Sequence, residues 1–249
     1  MLFRSGLFAF YENGTFDNFS DDEKIKFSVL DENGKIISND IFSIAEDLDG
    51  TIWVGTNQGV VAYYNPYNVF SGTGFYAQKI TIDIDGTPQY LLGTETVTAI
   101  AVDGENRKWF GTEKAGVFLM SEDCTEQILH FNAENSSLLS DNITAIAINN
   151  SSGEVYFGTD LGIISYKGTA TQGAENFDSV YVFPNPIREN YTGIITLKGI
   201  VAGSNIKITD LSGNLVYETK ALGGQAIWDG KNFSGDKVST GVYLVFCTN

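Results

Sequence analysis

The sequence predicts an all-β protein in two parts, a tandem repeat followed by a non-repeating segment. A recurring string carries the repeat: Ile-Trp-Val-Gly-Thr at 52–56, Lys-Trp-Phe-Gly-Thr at 108–112 and Val-Tyr-Phe-Gly-Thr at 155–159. The strings are short runs of β-branched and aromatic residues bounded by Gly, Asp and Asn, without a sustained helical period, which favours strands. The repeat ends near residue 168, where the composition becomes small and polar.

The repeat units have the length of propeller blades. Each string follows an apolar lead-in that begins at Ile41, Val97 or Ile143, and the glycines of the strings stand 56 and then 47 residues apart. A four-stranded propeller blade takes roughly 40 to 50 residues. Residues 5–11 match 58–64, so part of a further unit precedes the first string. The repeat therefore predicts a partial β-propeller of about three and a half four-stranded blades.

The recurring residues of the strings are predicted to be structural. Flat aromatic side chains in one column fill the gaps between successive blades, and glycines beside them admit a neighbouring backbone. A ligand-stacking role for the aromatic column is the alternative. The residues concerned are Trp53, Gly55, Thr56, Trp109, Gly111, Thr112, Tyr156, Gly158 and Thr159.

The composition divides the chain into residues 1–168, a polar linker at 169–176 and a second domain at 177–249. The second domain shows six strand signals, which suffice for a small immunoglobulin-like β-sandwich. Few residues follow the last signal, so the final strand is expected to be truncated. The six signals lie at 179–183, 193–197, 204–210, 215–218, 225–228 and 241–247.

Charge is distributed unevenly along the chain. The net charge is −16, and the first 175 residues hold 9 basic and 25 acidic residues, whereas the remainder holds 6 of each. An acidic surface repels phosphate backbones, so nucleic acid is excluded as a partner. No run of eighteen apolar residues predicts a transmembrane segment, and residues 1–5 do not open a secretory signal. We expect the chain to be the C-terminal part of a longer exported protein.

No catalytic residue, metal site or cofactor is predicted, and the chain is not expected to be an enzyme. The single histidine, His130, stands between apolar residues and is interpreted as structural. Cys124 and Cys247 fall one in each part, which does not suggest a disulfide pair. The Asp47-Leu-Asp49-Gly50 segment resembles the start of a calcium loop, but it lacks the later ligands, and turn residues explain it better.

The longest insertion between units, residues 65–88, is the candidate ligand-binding region. It offers aromatic side chains for stacking on a sugar or a protein. The alternative is an outer strand and hairpin with these side chains half buried. The candidates are Tyr64, Tyr67, Phe70, Phe75 and Tyr76.

The repeat resembles the two-component regulator propeller repeat. The pattern apolar-x-x-Ile-Ala-x-Asp-x-x-Gly-x-x-Trp-x-Gly-Thr-x-x-Gly runs from Ile41 to Gly59 and returns twice, with Asn149 and Tyr156 as departures in the third unit. In that family, propellers form extracytoplasmic sensor domains of hybrid histidine kinases, mostly in Bacteroidetes, and also occur outside kinases. The resemblance implies an extracytoplasmic propeller.

The tail resembles the C-terminal sorting domain of the type IX secretion system. Four motifs occur in order: Phe-Pro-Asn-Pro at 183–186, Thr-Asp-Leu-Ser-Gly at 209–213, Trp-Asp-Gly at 228–230 and Thr-Gly-Val-Tyr at 240–243. A generic immunoglobulin-like module, such as the hook-capping fold, is the alternative. The motif residues are Pro184, Asn185, Pro186, Asp210, Gly213, Trp228, Asp229, Gly230, Gly241 and Tyr243.

A propeller followed by this tail resembles the surface components of the type IX attachment complex. The resemblance implies a non-enzymatic protein on the outer membrane exterior that holds the sortase, binds anionic lipopolysaccharide, or both. One alternative is an exported cargo, such as an adhesin or glycan binder, with a sorting tail. The other is a glycan-sensing propeller of a hybrid two-component regulator. Because like charges repel, any lipopolysaccharide site is expected outside the acidic propeller, on blades beyond this chain or in the charge-balanced tail.

Overall fold

The computed structural model describes residues 6–15, 17–84 and 86–249, of which Ile84 is described by its backbone only. Within these residues the protein is all-β apart from a 3-10 turn at Pro66–Asn68. The strands form two compact units. The first unit runs up to Val102 and adds Asn106–Ile148 and Val155–Tyr166, and the second comprises Asp103–Glu105, Asn149–Glu154 and Lys167–Asn249.

The first unit is a partial β-propeller, as the repeat predicts. Two blades are four-stranded antiparallel sheets and a third has three strands; a short hairpin lies between the first two blades, and two hairpins precede them. The hairpin of β1 and β2 contains most of the predicted partial unit, whose Ser5 lies outside the described residues. The strands before the first blade are β1 (Leu7–Tyr11), β2 (Glu23–Phe27), β3 (Val29–Leu30) and β4 (Ile36–Ser38). The first blade and the hairpin after it are β5 (Ile41–Glu46), β6 (Ile52–Thr56), β7 (Gly59–Tyr63), β8 (Gln78–Lys79), β9 (Thr81–Ile84) and β10 (Thr87–Tyr90). The second and third blades are β11 (Val97–Val102), β12 (Lys108–Thr112), β13 (Val117–Met120), β14 (Gln127–Phe131), β15 (Ile143–Asn149), β16 (Glu154–Thr159) and β17 (Gly162–Lys167).

Each blade closes its inner turn in the same way. The hydroxyl groups of Thr56, Thr112 and Thr159 donate to the carbonyl oxygens of the glycines at or just before the start of the next strand, and each bond is 2.9 Å long. A β-branched residue favours the strand, and its hydroxyl satisfies a carbonyl at the turn. The threonine of each Gly-Thr pair therefore stabilises the turn after its strand in the same way in all three blades.

Successive blades pack through the aromatic column and the glycines. The ring centroid of Trp53 lies 6.2 Å from that of Phe110 on the next blade, and Trp109 stands 5.5 Å from Phe157 in the same relation. Both tryptophans are buried. A Cβ on Gly55 would lie 2.5 Å from the carbonyl oxygen of Val97, so a larger residue would push the second blade away. The repeat thus encodes the interface between blades.

The third member of the column differs from the expectation that it fills a gap between blades. Tyr156 is 38% exposed, and a Cβ on Gly158 would meet its nearest atom only at 3.3 Å. Among the residues that the structure describes, the strands after β17 belong to the second unit, so no fourth blade follows the third. Burial of a column residue depends on the following blade and not on the string alone.

The second unit is an immunoglobulin-like sandwich of two three-stranded antiparallel sheets. One sheet has the strand order β18-β19-β22 and the other β21-β20-β23. Its buried side chains include Leu197, Ile206 and Ile208, and Trp228 packs beside them. The last strand pairs along its whole length with β20. The strands are β18 (Tyr181–Phe183), β19 (Ile195–Lys198), β20 (Asn205–Thr209), β21 (Leu215–Lys220), β22 (Gln225–Trp228) and β23 (Leu244–Thr248).

The segment interpreted as a linker is packed into the second unit. Ala170 and Thr171 are buried, and the carbonyl oxygen of Thr171 accepts the backbone N–H of Gly224 at 2.8 Å. The N–H of Gln172 donates to Asn150 at 2.8 Å, in a turn that belongs to the same unit. Small residues at 169–176 therefore include packed backbone positions. They permit close backbone approach, which has the same compositional signature as flexibility.

Candidate functional site

Three of the five candidate ligand-binding aromatics lie on the surface of the first unit. Tyr67 is 88% exposed and Tyr64 is 48% exposed. Phe70 is half buried, and its ring centroid lies 6.3 Å from that of Tyr11.

The other two candidates are held differently. The ring of Phe75 stacks on Tyr63 with centroids 4.8 Å apart and meets the edge of Phe27 at 5.1 Å. Phe75 therefore belongs to the core of the first blade. Tyr76, its neighbour in sequence, lines a cleft. The half-buried alternative describes Phe75 and also Tyr76, although Tyr76 borders the cleft.

This cleft has a volume of about 550 Å³, within the range of roughly 300 to 1,000 Å³ that small-molecule sites occupy. It lies where the turn between β3 and β4 approaches β8 and the hairpin of β9 and β10. We call it the β8 cleft. Its lining residues are Asp31, Glu32, Asn33, Lys35, Ile36, Ile37, Gln58, Tyr76, Ala77, Gln78, Lys79, Thr81 and Tyr90.

The β8 cleft contains charged groups of both signs. Its two carboxylates, Asp31 and Glu32, are matched by two ammonium groups, Lys35 and Lys79. The Lys79 Nζ stands 4.7 Å from the centroid of the Tyr90 ring, a cation–π contact. Sequence reasoning identified Tyr76 as a ligand-binding candidate but missed the four charged residues and Tyr90. The one available signal was that Lys79 and Tyr90 occur within or just after the long insertion.

A second polar group joins the first two blades. One carboxylate oxygen of Asp47, Oδ2, accepts the Trp53 Nε1–H at 2.8 Å and lies 3.0 Å from Lys108 Nζ. The other oxygen, Oδ1, accepts the backbone N–H of Thr51 at 2.9 Å. The Lys108 side chain is 1% exposed, and its ammonium group also donates to the carbonyl oxygen of Glu122 at 2.6 Å. We call Asp47, Trp53 and Lys108 the interblade clamp.

The surroundings of Asp47 control its acidity. Burial raises the pKa of this carboxyl, but hydrogen bonds from Trp53, Lys108 and the Thr51 N–H outweigh burial, so the pKa lies below its ordinary value. In the second blade the indole N–H of Trp109 has no hydrogen-bond partner among the residues that the structure describes. The clamp is therefore specific to the first interface.

The segment Asp47-Leu-Asp49-Gly50 is a turn, and protein donors occupy its acidic groups. The side-chain amide of Asn106, on the second blade, donates to Asp49 at 2.8 Å and accepts the Leu48 N–H at 2.9 Å. The turn closes with Gly50 at φ 80°. Throughout 6–15, 17–84 and 86–249, no group of three or more His, Cys, Asp or Glu side chains is arranged to hold a metal ion.

The single histidine and the two thiols have structural surroundings. His130 Nε2 lies 2.8 Å from the Ala115 carbonyl oxygen, and its ring stacks on Phe118 with centroids 4.1 Å apart. Both cysteines are free. Burial raises the pKa of Cys124 to about 12 and also raises that of Cys247, which disfavours the reactive thiolate in both.

Asp210 and Gly213 of the tail motifs form a tight turn. One carboxylate oxygen of Asp210 accepts the N–H groups of Ser212 and Asn214, each at 2.9 Å. Gly213 has φ 84°, which a side chain rarely adopts. The hydrogen bond from the Asn214 side chain, together with the backbone donors, holds the pKa of Asp210 below its usual value.

The Trp-Asp-Gly motif packs on the last motif. Trp228 donates its indole N–H to the Lys231 carbonyl oxygen at 2.8 Å, and its ring meets Tyr243 edge-on at 5.7 Å. Asp229 accepts the Lys231 N–H at 3.1 Å, and Gly230 has φ 74°. The Tyr243 hydroxyl donates to Ser239 at 2.7 Å. The remaining motif residues lie outside strands: Pro184, Asn185 and Pro186, where both X-Pro bonds are cis, and Gly241.

Two protein families match parts of the chain. Residues 181–249 match the family described as a secretion system C-terminal sorting domain. Residues 35–58 match the two component regulator propeller. In the portion of the chain that the structure covers, no helix has the length and apolar character needed to cross a membrane. No curated protein matches the chain in sequence.

Among solved structures, PorZ of Porphyromonas gingivalis is similar to nearly the whole chain. It is 35% identical, the match covers 98% of this chain and 33% of PorZ, and the TM-score is 0.65. PorZ is described as an essential bacterial surface component of the type IX secretion system of this human oral bacterium. The extracellular domain of a putative hybrid two component system of B. thetaiotaomicron is 23% identical, with a TM-score of 0.42 over 84% of this chain and 25% of that one. The present chain spans about a third of the length of PorZ.

Proposed function

Because this chain is PorZ-like, with two-component regulator propeller repeats ahead of a secretion system C-terminal sorting domain, we propose that it is a non-enzymatic surface component of type IX protein secretion. The observation that carries the proposal is the PorZ match, which extends through both units at 35% identity. A sorting domain alone would also occur in unrelated cargo. The joint match of propeller and tail favours the secretion apparatus itself.

The non-enzymatic part rests on what the titratable groups do. The depressed pKa values of Asp47 and Asp210 arise from hydrogen bonds that build an interblade contact and a turn. His130 is engaged by Ala115 and Phe118. Perturbed groups at structural positions do not supply the paired acid and base that hydrolytic or transfer chemistry requires. Their contacts support a role in binding and assembly.

Two partners follow from the proposal, the type IX sortase and anionic lipopolysaccharide, and the protein would meet both on the exterior of the outer membrane. The acidic excess of the first 175 residues opposes a polyanion there. The outer face of the β21-β20-β23 sheet is more suitable. It carries exposed Lys207 and Lys220 against one acid, Glu218, with exposed Phe246 beside Lys207. We assign any lipopolysaccharide contact to this face.

Binding of the sortase is tested with purified proteins. The chain is mixed with the type IX sortase from the same bacterium, and binding is measured by biolayer interferometry while the intact mass is followed. A stable complex with unchanged mass is expected for a scaffold. Absence of binding, or binding followed by loss of the tail, would contradict the proposal. A cargo protein known to be processed serves as the positive control for cleavage.

The second candidate is an exported cargo, such as an adhesin, and the sorting-domain match at 181–249 is the observation that favours it. Cargo processing requires a protease to reach the backbone ahead of the tail. The burial of Ala170 and Thr171 opposes such access without local unfolding. An epitope at the C-terminus distinguishes the candidates, because a component keeps it on the cell surface and a cargo loses it.

Binding of lipopolysaccharide to this face is tested with charge variants of the whole chain. The double variant Lys207→Gln with Lys220→Gln should weaken capture on immobilised lipopolysaccharide, whereas Lys24→Gln with Lys26→Gln in the propeller is the matched control. Each lost contact should also reduce the salt dependence of binding, because fewer counterions are displaced. Equal losses from both pairs, or none from the first, would remove this face from the proposal.

A further inference from the structure

The β8 cleft is built on backbone that is fixed before any ligand arrives. One Asp31 carboxylate oxygen accepts the backbone N–H groups of Asn33 and Lys35, both at 2.9 Å, which locks the turn between β3 and β4. The N–H of Ala77, the residue before β8, donates to the Leu30 carbonyl oxygen at 2.7 Å, so the end of β3 is tied to the start of β8. A site held in this way loses little conformational entropy on binding.

An exposed aromatic ring provides a stacking surface in the cleft. Tyr90 is 57% exposed and is paired with Thr81 in the hairpin of β9 and β10. The Lys79 ammonium group lies 4.7 Å from the centroid of the ring, a cation–π contact that orients the ring at the cleft. Tyr76 adds a second, half-buried ring. Flat rings with a polar hydroxyl suit the C–H faces of pyranose sugars.

The charges of the cleft select among saccharides. Two carboxylates, Asp31 and Glu32, balance two ammonium groups, Lys35 and Lys79, within a region of 9 basic and 25 acidic residues. A polyanion would gain from the lysines and lose as much to the acids. Sugar hydroxyl groups both donate and accept, so carboxylates, ammonium groups and the amides of the rim can all bond to them.

We propose that the β8 cleft is a binding site for a neutral saccharide, with Tyr90 as its stacking residue and the balanced charged pairs as hydrogen-bonding partners for hydroxyl groups. The site goes beyond the proposed surface role, since a secretion component and a cargo adhesin would both use it. Its test therefore succeeds or fails independently of the sortase and lipopolysaccharide experiments.

The whole chain is titrated by calorimetry with three neutral probes, cellohexaose, mannohexaose and chitohexaose, and with heparin hexasaccharide as a polyanion. At least one neutral probe should bind, and its affinity should change by less than about twofold between about 50 mM and about 500 mM salt, because no net charge is exchanged. Tyr90→Ala should weaken binding about tenfold. Tyr90→Phe should stay within about threefold of the unaltered chain, because the ring is kept.

Tyr67→Ala is the matched control, because Tyr67 is also an exposed tyrosine of the first unit but does not line the cleft. It should leave the affinity unchanged. Circular dichroism verifies that each variant is folded. Both tyrosine side chains are exposed, so their replacement should not disturb the fold. The proposal is overturned if no neutral probe binds, if heparin hexasaccharide alone binds, or if Tyr90→Ala has no larger effect than Tyr67→Ala.

Discussion

Removal of Lys108 should destabilise the propeller more than removal of any exposed lysine. Lys108→Met preserves most of the side-chain volume but leaves the Asp47 carboxylate buried without its cation, and it also frees the Glu122 carbonyl oxygen. Breaking a buried ion pair by removing one partner costs about 3 to 5 kcal/mol. Three hydrogen bonds to the Asp47 carboxylate, from Trp53 and from the backbone N–H groups of Asp49 and Thr51, remain in place, so we expect a loss near the lower end of that range.

The free energy of unfolding is measured by urea titration with tryptophan fluorescence. A Trp228→Phe background confines the signal to Trp53 and Trp109, which both lie in the first unit. Lys114→Met, at an exposed lysine, is the control and should change stability by about 0.5 kcal/mol or less. A loss for Lys108→Met of less than about 1 kcal/mol would refute the reasoning.

The ion pair of Asp47 and Lys108 should also influence how the stability of the protein depends on pH. The pKa of Asp47 is lowered in the folded protein from its ordinary value of 3.8. A carboxyl with a depressed folded pKa stabilises the protein above its unfolded pKa, and this contribution disappears as the pH falls through the folded pKa. Lys108→Met should therefore flatten the acid side of the stability profile below about pH 4. An unchanged profile would show that the cation does not influence Asp47.

Three further outcomes are expected. Trp53→Ala should cost about 3 to 5 kcal/mol, but Tyr156→Ala only about 1 kcal/mol, because Tyr156 is 38% exposed; equal losses in urea titrations would contradict the difference. Gly223→Ala should lower the melting temperature more than Gly213→Ala, since both have positive φ but only a Cβ on Gly223 meets the Thr171 carbonyl. Cys124 should resist thiol reagents until the chain unfolds, because burial raises its pKa to about 12; rapid labelling of both thiols in the native protein would disprove this.

Much of the fold was predictable because the repeat is local. The Trp-x-Gly-Thr string specifies a strand, the side that is buried and the turn that follows, and the structure repeats these features in each blade. Sequence reasoning could not foresee the exposure of Tyr156, which depends on the blade that follows. It also could not foresee that residues of the 169–176 segment pack within the second unit, because small residues serve flexible and closely packed backbone alike.

The candidate site was only partly predictable. Tyr76 was found because aromatic residues in a long insertion are a recognisable signal. Lys79 and Tyr90 could not be identified as site residues from the sequence, because the cleft they line is formed by elements that are brought together only in the folded protein. Lys108 was missed for a related reason. Lys108 is the first residue of its string, a position that Ile52 and Val155 occupy in the other two units. Comparison of the repeats therefore does not indicate which residue Lys108 pairs with.

The sequence by itself determined the strand content, the blade period, the repeated turns and the sorting-type tail, because each is written in residues close together along the chain. The tertiary structure alone decided which charges meet. Asp47 and Lys108 lie in different blades, and Lys79, Tyr90 and Asp31 reach one cleft from three separate hairpins or strands. Such contacts depend on the distance between elements, and local periodicity carries no information about that distance.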